Sequence, residues 1–513
     1  MKKTFYHRRS AREMESNLSN FRAEESEKRS KTFYITTTLP YVNSDPHIGF
    51  AMEIIRADII ARAKSLQGFD VFFNTGTDEH GAKIYENAIA EGKTPQEYVN
   101  IFAEKFKGLA ELLSLSTNVS GIEYHFIRTT DKYHIKSAEA FWQKCFDNGD
   151  IYKKNYKVKY CTGCELPKTE SDLVEGLCPL HPNREIEIRE EENYFFRFSK
   201  YQNFLLDLYQ KNPNFVFPES RQKEIAKFVE RGLEDFSISR LKEKMPWGVS
   251  VPNDPEHVMY VWFDALVNYV SAVGWPDDPE KFEKWWINSG GVVQYAGKDN
   301  LRQQSAMWQA MLKSAGLTPS KQIVIDGFIT GDGGIKMSKS LGNSVNPYDI
   351  VAEYGADALR YFMAREIPPF EDGTFTMEKF KDAYNANLAN GIGNLTSRVM
   401  KMAEANLSGP VTISEFEDMS KYFSILDQFE IIKACDFVWN EISAMDRFIQ
   451  ENQPFKVVKI EKEKGQKMIT ELVVRLYSVA RMLNPILPET SYKIKELIKS
   501  NKSPEVPLFL RKE

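Results

Sequence analysis

The stretch FYITTTLPYVNSDPHIGF, residues 33–50, decides how the first part of the chain folds. Its first eight residues have the β-branched and aromatic side chains of a buried strand. From Ile48 to about residue 66, apolar side chains recur at helical spacing. A strand that turns directly into a helix exposes the helix N-terminus, whose N–H groups and dipole attract anions. The stretch therefore predicts a phosphate-binding turn. Taken alone, however, it favours a packed strand–helix corner in which His47 is incidental.

The alternation of strand and helix recurs along the chain. A second strand pattern, FDVFFNTGTDEHG (residues 69–81), runs into a loop that contains glycine. Later, GVVQYAG (residues 291–297) and QIVIDGFI (residues 322–329) flank a helical pattern at residues 301–313. Strands separated by helices predict a parallel sheet with helices on both faces. We therefore expect an α/β fold.

The order of these patterns divides the chain into segments. Residues 129–250 are rich in cysteine, charge and aromatic side chains, and we interpret them as an insertion that splits the sheet-forming region. After residue 376 the strand patterns disappear and helical patterns dominate. The predicted segments are a mobile charged tail (1–31), the first half of the α/β domain (32–128), the insertion (129–250), the second half (251–325), a glycine- and lysine-bearing loop region (326–376) and a helical bundle (377–513).

Composition excludes several classes of protein. With 513 residues, 42% hydrophobic and 27% charged, the chain is an ordinary globular protein large enough for several domains. No apolar run is long enough to span a bilayer, and no signal peptide is visible. Five cysteines, three of them clustered, do not form a disulfide framework, so we expect a reducing cytoplasm.

Charge is distributed unevenly. The net charge is −5, yet residues 440–513 carry 14 basic and 10 acidic residues. A basic C-terminal region on an acidic protein is typical of a polyanionic partner. A solvated helix surface rich in lysine and glutamate explains the same charges equally well.

Four residues fit a zinc site. Cys161 and Cys164 are separated by two residues, as are Cys178 and His181, and thirteen residues separate the two pairs. Three thiolates and one imidazole complete a tetrahedral zinc shell, with no position left for a substrate. A redox CxxC motif would not explain the second pair. We therefore predict one structural Zn²⁺, which would supply folding energy that a small insertion lacks in its own core.

A second stretch, GDGGIKMSKSLGNSV (residues 331–345), carries two lysines, Lys336 and Lys339, behind mobile glycines. Lysine supplies compact positive charge for phosphate oxygens. This is not a Walker loop, because no GxxxxGK[ST] pattern precedes a helix there. Alone, such a loop is more often a solvated turn.

Together, the two stretches resemble the signature pair of the class I aminoacyl-tRNA synthetases. His47-Ile48-Gly49-Phe50 resembles the HIGH element, and Lys336-Met337-Ser338-Lys339-Ser340 matches the KMSKS element in full. Five further segments resemble the methionyl-tRNA synthetases, so that the resemblance runs from about residue 32 to about residue 500; they are TTTLPYVNSDPHIG, FNTGTDEHG, RGLEDFSISR, YVWFDALVNYV and ANGIGNLTSR.

This resemblance implies a fold and an activity. The fold would be a Rossmann-type parallel-sheet catalytic domain, split by a zinc-knuckle insertion and followed by an all-α helical bundle that binds the anticodon. The chain would be a monomeric methionine–tRNA ligase using L-methionine, ATP with Mg²⁺, and tRNA(Met), for initiation and elongation of translation. The implied residues are His47, Lys336 and Lys339 for catalysis; His47, Gly49, Asp299, Lys336 and Lys339 for ATP; Leu39, Asp78, Trp262, Ala265, Tyr269 and Gln304 for methionine; and Asn394, Arg398 and Phe455 for the anticodon.

Four positions depart from the family pattern. Phe50 replaces the second histidine of the HIGH element, and Phe455 replaces a tryptophan. Gln303 and Gln304 stand where an aromatic residue and a histidine are common. A ligase for another large aliphatic or sulfur amino acid, and a non-catalytic tRNA-binding paralogue, are therefore the alternatives. The complete KMSKS element and Asp78 argue against the paralogue.

Overall fold

The computed structural model describes residues 31–161, 166–168, 173–174, 176–179, 183, 185–334, 345–413 and 418–513. The predicted tail, apart from Lys31, lies outside these residues. The strands are β1 (Thr32–Thr36), β2 (Asp70–Thr77), β3 (Ile122–Arg128), β4 (Ile151–Cys161), β5 (Leu166–Lys168), β6 (Ile186–Phe196), β7 (Val216–Phe217), β8 (Phe236–Ser237), β9 (Ser239–Leu241), β10 (Ser250–Val251), β11 (Asp254–Met259), β12 (Val292–Gly297), β13 (Gln322–Asp326), β14 (Ile329–Thr330) and β15 (Gly373–Thr374).

Helices connect and cover these strands. The α-helices are α1 (Ile48–Leu66), α2 (Ala82–Ala90), α3 (Pro95–Leu112), α4 (Lys132–Asp147), α5 (Gln202–Lys211), α6 (Glu219–Glu230), α7 (Val261–Leu266), α8 (Asn268–Ser271), α9 (Pro279–Phe282), α10 (Trp308–Ser314), α11 (Pro347–Tyr354), α12 (Ala356–Tyr361), α13 (Met377–Ala383), α14 (Asn394–Asn406), α15 (Ser420–Leu426), α16 (Ile431–Asn452), α17 (Pro454–Ile460), α18 (Lys462–Leu483) and α19 (Pro488–Ser500). Shorter 3₁₀ turns are Phe198–Tyr201, Lys298–Asn300 and Asp332–Gly334, and π-helical turns are Glu283–Ile287, Gln303–Met307, Phe362–Glu366 and Tyr384–Gly393.

The main sheet is parallel, as the strand–helix alternation predicts. In the described part of the chain its six strands lie in the order β3-β2-β1-β12-β13-β7. Tyr34 of β1 aligns with Phe72 on one side and with Val292 on the other. The chain builds outward from β1 to β3 and then returns to β12 on the opposite side. Such a reversal opens a crevice at the carboxyl ends of the two central strands, where α/β proteins bind ligands.

Side chains alternate across β1, so both faces of the sheet are buried. Phe33 and Ile35 join the hydrophobic cluster that contains α1, whereas Tyr34 joins the cluster on the other face. The core therefore has two layers of packing, one on each side of the sheet.

The predicted insertion contains most of the antiparallel structure. β4 and β6 pair along their whole length, from Ile151 opposite Phe196 to Cys161 opposite Ile186, in a sheet of order β5-β4-β6-β8. A second antiparallel sheet has the order β10-β11-β9. The same region also supplies β7, which pairs with β13 and extends the main sheet. A two-residue strand has no periodicity for a sequence pattern to reveal.

Beyond residue 376 the described residues are helical, from α13 to α19, in agreement with the loss of strand patterns there. None of the helices in the described ranges combines the length and the apolarity that a membrane crossing needs.

A buried ionic cluster joins α1 to this helical part. Asp58 of α1 binds Arg62 (2.8 Å) and Arg360 of α12 (2.8 Å), and neither Asp58 nor Arg360 is exposed. Arg360 also donates to the carbonyl oxygens of Pro485 (2.7 Å) and Ile486 (3.0 Å), in the turn before α19. Burial raises the cost of each charge, so each partner depends on the other.

We predict that Arg360→Met lowers the free energy of unfolding by about 3–5 kcal/mol, because it leaves the buried carboxylate of Asp58 without its main cross-domain partner. Urea unfolding followed by circular dichroism measures the change. The control, Lys211→Ala, removes an exposed pair with Asp207 and should leave the midpoint unchanged. Equal midpoints for the two variants would contradict the prediction.

Candidate active site

One cavity of about 1660 Å³ lies at the carboxyl ends of β1 and β12, where the strand order reverses. Its walls come from the turn before α1, the end of β2, the helices α7 and α8, and the segment after β12. Nine residues singled out in the sequence line it together: Leu39, His47, Gly49, Asp78, Trp262, Ala265, Tyr269, Asp299 and Gln304.

His47 forms the N-cap of α1. Its backbone is extended (φ −125°, ψ 166°), and its Nδ1 accepts the N–H of Gly49 at 3.1 Å. A neutral imidazole that accepts at Nδ1 carries its proton at Nε2. The ring is exposed and lies beside the positive end of a 19-residue helix. This arrangement suits an anion.

Gly49 and Phe50 complete the turn. A Cβ at Gly49 would lie 3.1 Å from two ring atoms of His47, so any side chain there would press on the imidazole. Phe50 is 9% exposed and packs edge-on against Phe106, with ring centroids 5.4 Å apart. The residue that replaces the second HIGH histidine is therefore part of the core as well as the cavity wall.

Asp78 follows β2 and is tied to the end of β1, because its backbone N–H donates to the carbonyl of Pro40 at 2.9 Å. Its side chain is 7% exposed, and its Oδ1 accepts no hydrogen bond from the described residues. Burial, and next the charge of Asp264, raise the pKa of Asp78 well above its usual range. A cation bound at Oδ1 would offset both effects.

Asp264 lies behind Asp78 in a buried histidine chain. It accepts from Nδ1 of His80 at 2.5 Å and from Nε2 of His134 at 2.8 Å. Burial alone would raise its pKa, but the attraction of His80 and the hydrogen bonds of both imidazoles lower that pKa to about 2. The helix α7, which carries Trp262 and Ala265, is thus anchored beside Asp78.

The apolar wall is formed by one helical face. Trp262, Ala265 and Tyr269, predicted at helical spacing, lie on α7 and α8 and line the same cavity. Trp262 is 46% exposed, whereas Tyr269 is 2% exposed and its hydroxyl accepts from Nε2 of Gln304 at 2.8 Å. Gln303, which like Gln304 departs from the family pattern, also lines the cavity.

Glu53 and Asp326 are two of the cavity carboxylates that escaped the sequence analysis. Glu53 of α1 is 8% exposed and accepts from the backbone N–H of Thr38 at 2.7 Å. Burial raises the pKa of Glu53 to about 8, with smaller contributions from Asp326 and Asp299. Asp326 ends β13 and pairs with Arg56 at 3.1 Å. The sequence did carry a signal for Glu53: it and Arg56 are charged residues within a helix that has apolar residues on all sides.

Several predicted residues lie outside the described part of the chain. These are Lys336 and Lys339 of the KMSKS element, and Cys164 and His181 of the proposed zinc site. Val345, where the described chain resumes after the lysines, accepts the N–H of Ile48 at 3.1 Å. The described chain therefore resumes directly beside the His47 turn.

The remaining two predicted zinc ligands are described. Cys161, the last residue of β4, and Cys178 are both fully buried. Thiolates and imidazole are the donors that zinc prefers, and burial would shield them from competing water. Among the described residues alone, no group of three candidate ligands is assembled.

The predicted anticodon residues lie on the helical part and do not line the cavity. Asn394 at the start of α14 is exposed, and Phe455 of α17 is 41% exposed. Arg398 is 33% exposed and pairs with Asp446 of α16 at 2.5 Å. Their side chains are accessible, as a binding surface requires.

Comparison with known proteins agrees with this geometry. The family model described as "tRNA synthetases class I (M)" matches residues 33–185 and 171–400. The methionine–tRNA ligase of Thermotoga maritima is 40% identical over 480 residues, which is 90% of this chain and 74% of that protein. The chain belongs to the methionine–tRNA ligase family. The family member from Thermosynechococcus vestitus is 42% identical over 91% of this chain and 89% of its own length.

Solved structures of this family share the fold. The Mycobacterium tuberculosis methionyl-tRNA synthetase in complex with methionyl-adenylate superposes with a TM-score of 0.81 at 36% identity, covering 91% of this chain and 94% of that one. The free-state structure of the same enzyme gives a TM-score of 0.77 at 31% identity, covering 94% of this chain and 99% of that one. The α/β architecture expected from the sequence is thus the architecture of the family.

Proposed function

We propose that the chain is a methionine–tRNA ligase that forms methionyl-adenylate and diphosphate from methionine and ATP, and then transfers the methionyl group to the 3′ end of tRNA(Met). The observation that carries the proposal is a single cavity that joins the N-terminus of α1 to the buried Oδ1 of Asp78. An anion and a primary ammonium group can therefore be held within one site. Methionine and ATP supply these two groups.

The α1 turn is the proposed phosphate site. When the carboxylate of methionine attacks the α-phosphorus, negative charge builds on the phosphoryl oxygens and on the departing diphosphate. The positive end of the α1 dipole and a donor at Nε2 of His47 would stabilise that charge more than they stabilise bound ATP. Lys336 and Lys339 are the proposed further donors, and Mg²⁺ bound with ATP would neutralise the triphosphate. Gly49 and Asp299 are the proposed contacts to the nucleoside.

The wall opposite is the proposed methionine site. Asp78 would pair with the α-ammonium group, which needs a carboxylate. Leu39, Trp262 and Ala265 would enclose the apolar side chain, and Tyr269 with Gln304 would meet its sulfur. A thioether is polarisable and packs well against aromatic rings such as that of Trp262.

The helical part is the proposed anticodon site. An exposed Phe455 can stack on an unpaired base, and the Asn394 and Arg398 side chains can bond to base edges. We further propose one structural Zn²⁺ held by Cys161, Cys164, Cys178 and His181, where it would supply folding energy and take no part in the reaction. The segment boundaries, the monomeric state and the cytoplasmic location expected from the sequence stay predictions.

Amino acid-dependent exchange of diphosphate into ATP tests the proposal directly. Purified protein should catalyse exchange with methionine and stay near background with leucine, isoleucine and cysteine. Equal or faster exchange with another amino acid would show that methionine is not the preferred substrate. Background exchange with every amino acid, together with binding of tRNA(Met), would favour the non-catalytic paralogue.

We predict that Gly49→Ala slows methionine-dependent exchange about 10- to 100-fold, because the added Cβ displaces the His47 ring from the phosphate site. The matched control is Gly409→Ala, at a glycine with open space around its Cα. It should leave the exchange rate unchanged. Normal exchange in Gly49→Ala would remove His47 from the proposed mechanism.

We predict that Arg398→Ala raises KM for tRNA(Met) in aminoacylation by about tenfold or more, since hydrogen bonds from a charged donor contribute roughly 1.5–3 kcal/mol. Exchange of diphosphate, which needs no tRNA, should not change. Arg475→Ala, which removes a comparable part-buried pair with Glu441, is the matched control. A loss of exchange activity in Arg398→Ala would indicate a folding defect and contradict the assigned role.

We predict one zinc per chain by elemental analysis of the purified protein, with the metal content falling in Cys178→Ser. The control is Cys145→Ala, because Cys145 is a buried thiol of the core on α4. It should keep the metal. Full zinc content in Cys178→Ser would exclude Cys178 as a ligand.

A further inference from the structure

Five polar side chains form a buried chain that leads from the core to the cavity. They are Gln309, Ser320, Gln294, Gln304 and Tyr269, and each is at most 5% exposed. Only the last two were singled out in the sequence. The hydrogen bonds that link five buried polar groups must all run in one consistent donor-to-acceptor direction, since a buried donor or acceptor without a partner is costly.

The direction is fixed at the inner end by the backbone. Oε1 of Gln309 accepts the backbone N–H of Ser320 at 3.0 Å, and Nε2 of Gln309 donates to the backbone carbonyl of Gln304 at 2.8 Å. A backbone N–H can only donate and a carbonyl can only accept. The amide of Gln309 therefore has one possible orientation.

The orientation of Gln309 determines the orientation of the next side chains in this series of five, which we call the relay. Nε2 of Gln309 also donates to Oγ of Ser320 at 3.1 Å, and this hydroxyl donates in turn to Oε1 of Gln294 at 2.6 Å. Reversing Gln294 would leave the Ser320 hydroxyl hydrogen with no acceptor among the described residues. Nε2 of Gln294 then donates to Oε1 of Gln304 at 2.6 Å, which turns Nε2 of Gln304 toward Tyr269.

Tyr269 receives the end of the relay. Its hydroxyl oxygen accepts from Nε2 of Gln304 at 2.8 Å. Burial raises the pKa of Tyr269, so the phenol keeps its hydrogen. Because this oxygen accepts from Gln304, its own hydrogen points away from that amide, and the cavity that Tyr269 lines is the space open to it.

We propose that Gln309, Ser320 and Gln294 are positioning residues for substrate specificity, because they make Tyr269 a donor toward the cavity. The site then favours a side chain that carries an acceptor, such as the thioether sulfur, over one of the same length that carries only methylene groups. This inference rests on the proposed function, since it takes methionine as the amino acid bound.

The test compares methionine with norleucine, in which a methylene replaces the sulfur, as substrates for diphosphate exchange. Gln294→Met keeps the volume but removes the donor to Gln304, which frees that amide to turn and accept from Tyr269. The ratio of kcat/KM for methionine to that for norleucine should fall about tenfold, the loss that one hydrogen bond represents. KM for ATP should stay unchanged.

Variants at Ser320, which does not line the cavity, separate the relay from a simple packing effect. Ser320→Ala should lower the ratio in the same direction, and Ser320→Thr, which keeps the hydroxyl, should restore it. Ser314→Ala is the matched control, because Ser314 is another buried serine whose hydroxyl donates outside the relay, to Asp150. It should leave the ratio unchanged.

Two results would overturn the relay: an unchanged ratio in Ser320→Ala, or an equal fall in Ser314→Ala. If Gln294→Met does not fold, the Ser320 pair decides alone. Absence of methionine-dependent exchange in the unaltered protein would instead overturn the proposed function. The two failures are thus distinguishable.

Discussion

The placement of α1 is the constraint on which the rest of the structure depends. Arg56 on its third turn donates to the backbone carbonyls of Met363 (3.1 Å) and Ile367 (2.7 Å) and pairs with Asp326 at the end of β13. Two residues further, Asp58 binds Arg360 and accepts the backbone N–H of Ser116 at 2.9 Å. One helix therefore ties the sheet, the segment before β15 and the helical part together. Its N-terminus, where the phosphates would bind, is held by all three.

Burying these charges fixes the position of α1 more than it stabilises the fold. A pair such as Arg56–Asp326 gains attraction in the low-dielectric interior but loses hydration, so an apolar pair of equal volume would stabilise the fold as well. An apolar helix, however, could rotate or slide with little penalty, because apolar contacts are not directional. We infer that the charges hold α1 in one rotation and one register. A phosphate site needs that accuracy, since small displacements of a donor cost much of its effect.

What the sequence could predict follows from the range of the interactions involved. The bounds of α1, Ile48–Leu66, and the parallel sheet were predicted correctly, because local periodicity specifies both. Nine predicted site residues lie in one cavity because motifs record which residue types the chemistry needs. The strand β7, the carboxylates Glu53 and Asp326, and the glutamine relay were not predicted. Each depends on tertiary partners, such as β13 for β7, that a local sequence pattern does not identify.

The charges around the cavity explain why the ammonium group of methionine and the triphosphate of ATP would not bind in each other's place. Asp78, Asp299 and Asp326 line the cavity at or just beyond the ends of sheet strands, while the antiparallel region contributes cations such as Lys157 and Arg240 to its wall. An ammonium group is attracted to these carboxylates, and a triphosphate is repelled from them toward the N-terminus of α1. The electrostatics of the cavity would thus orient both substrates before any bond is formed.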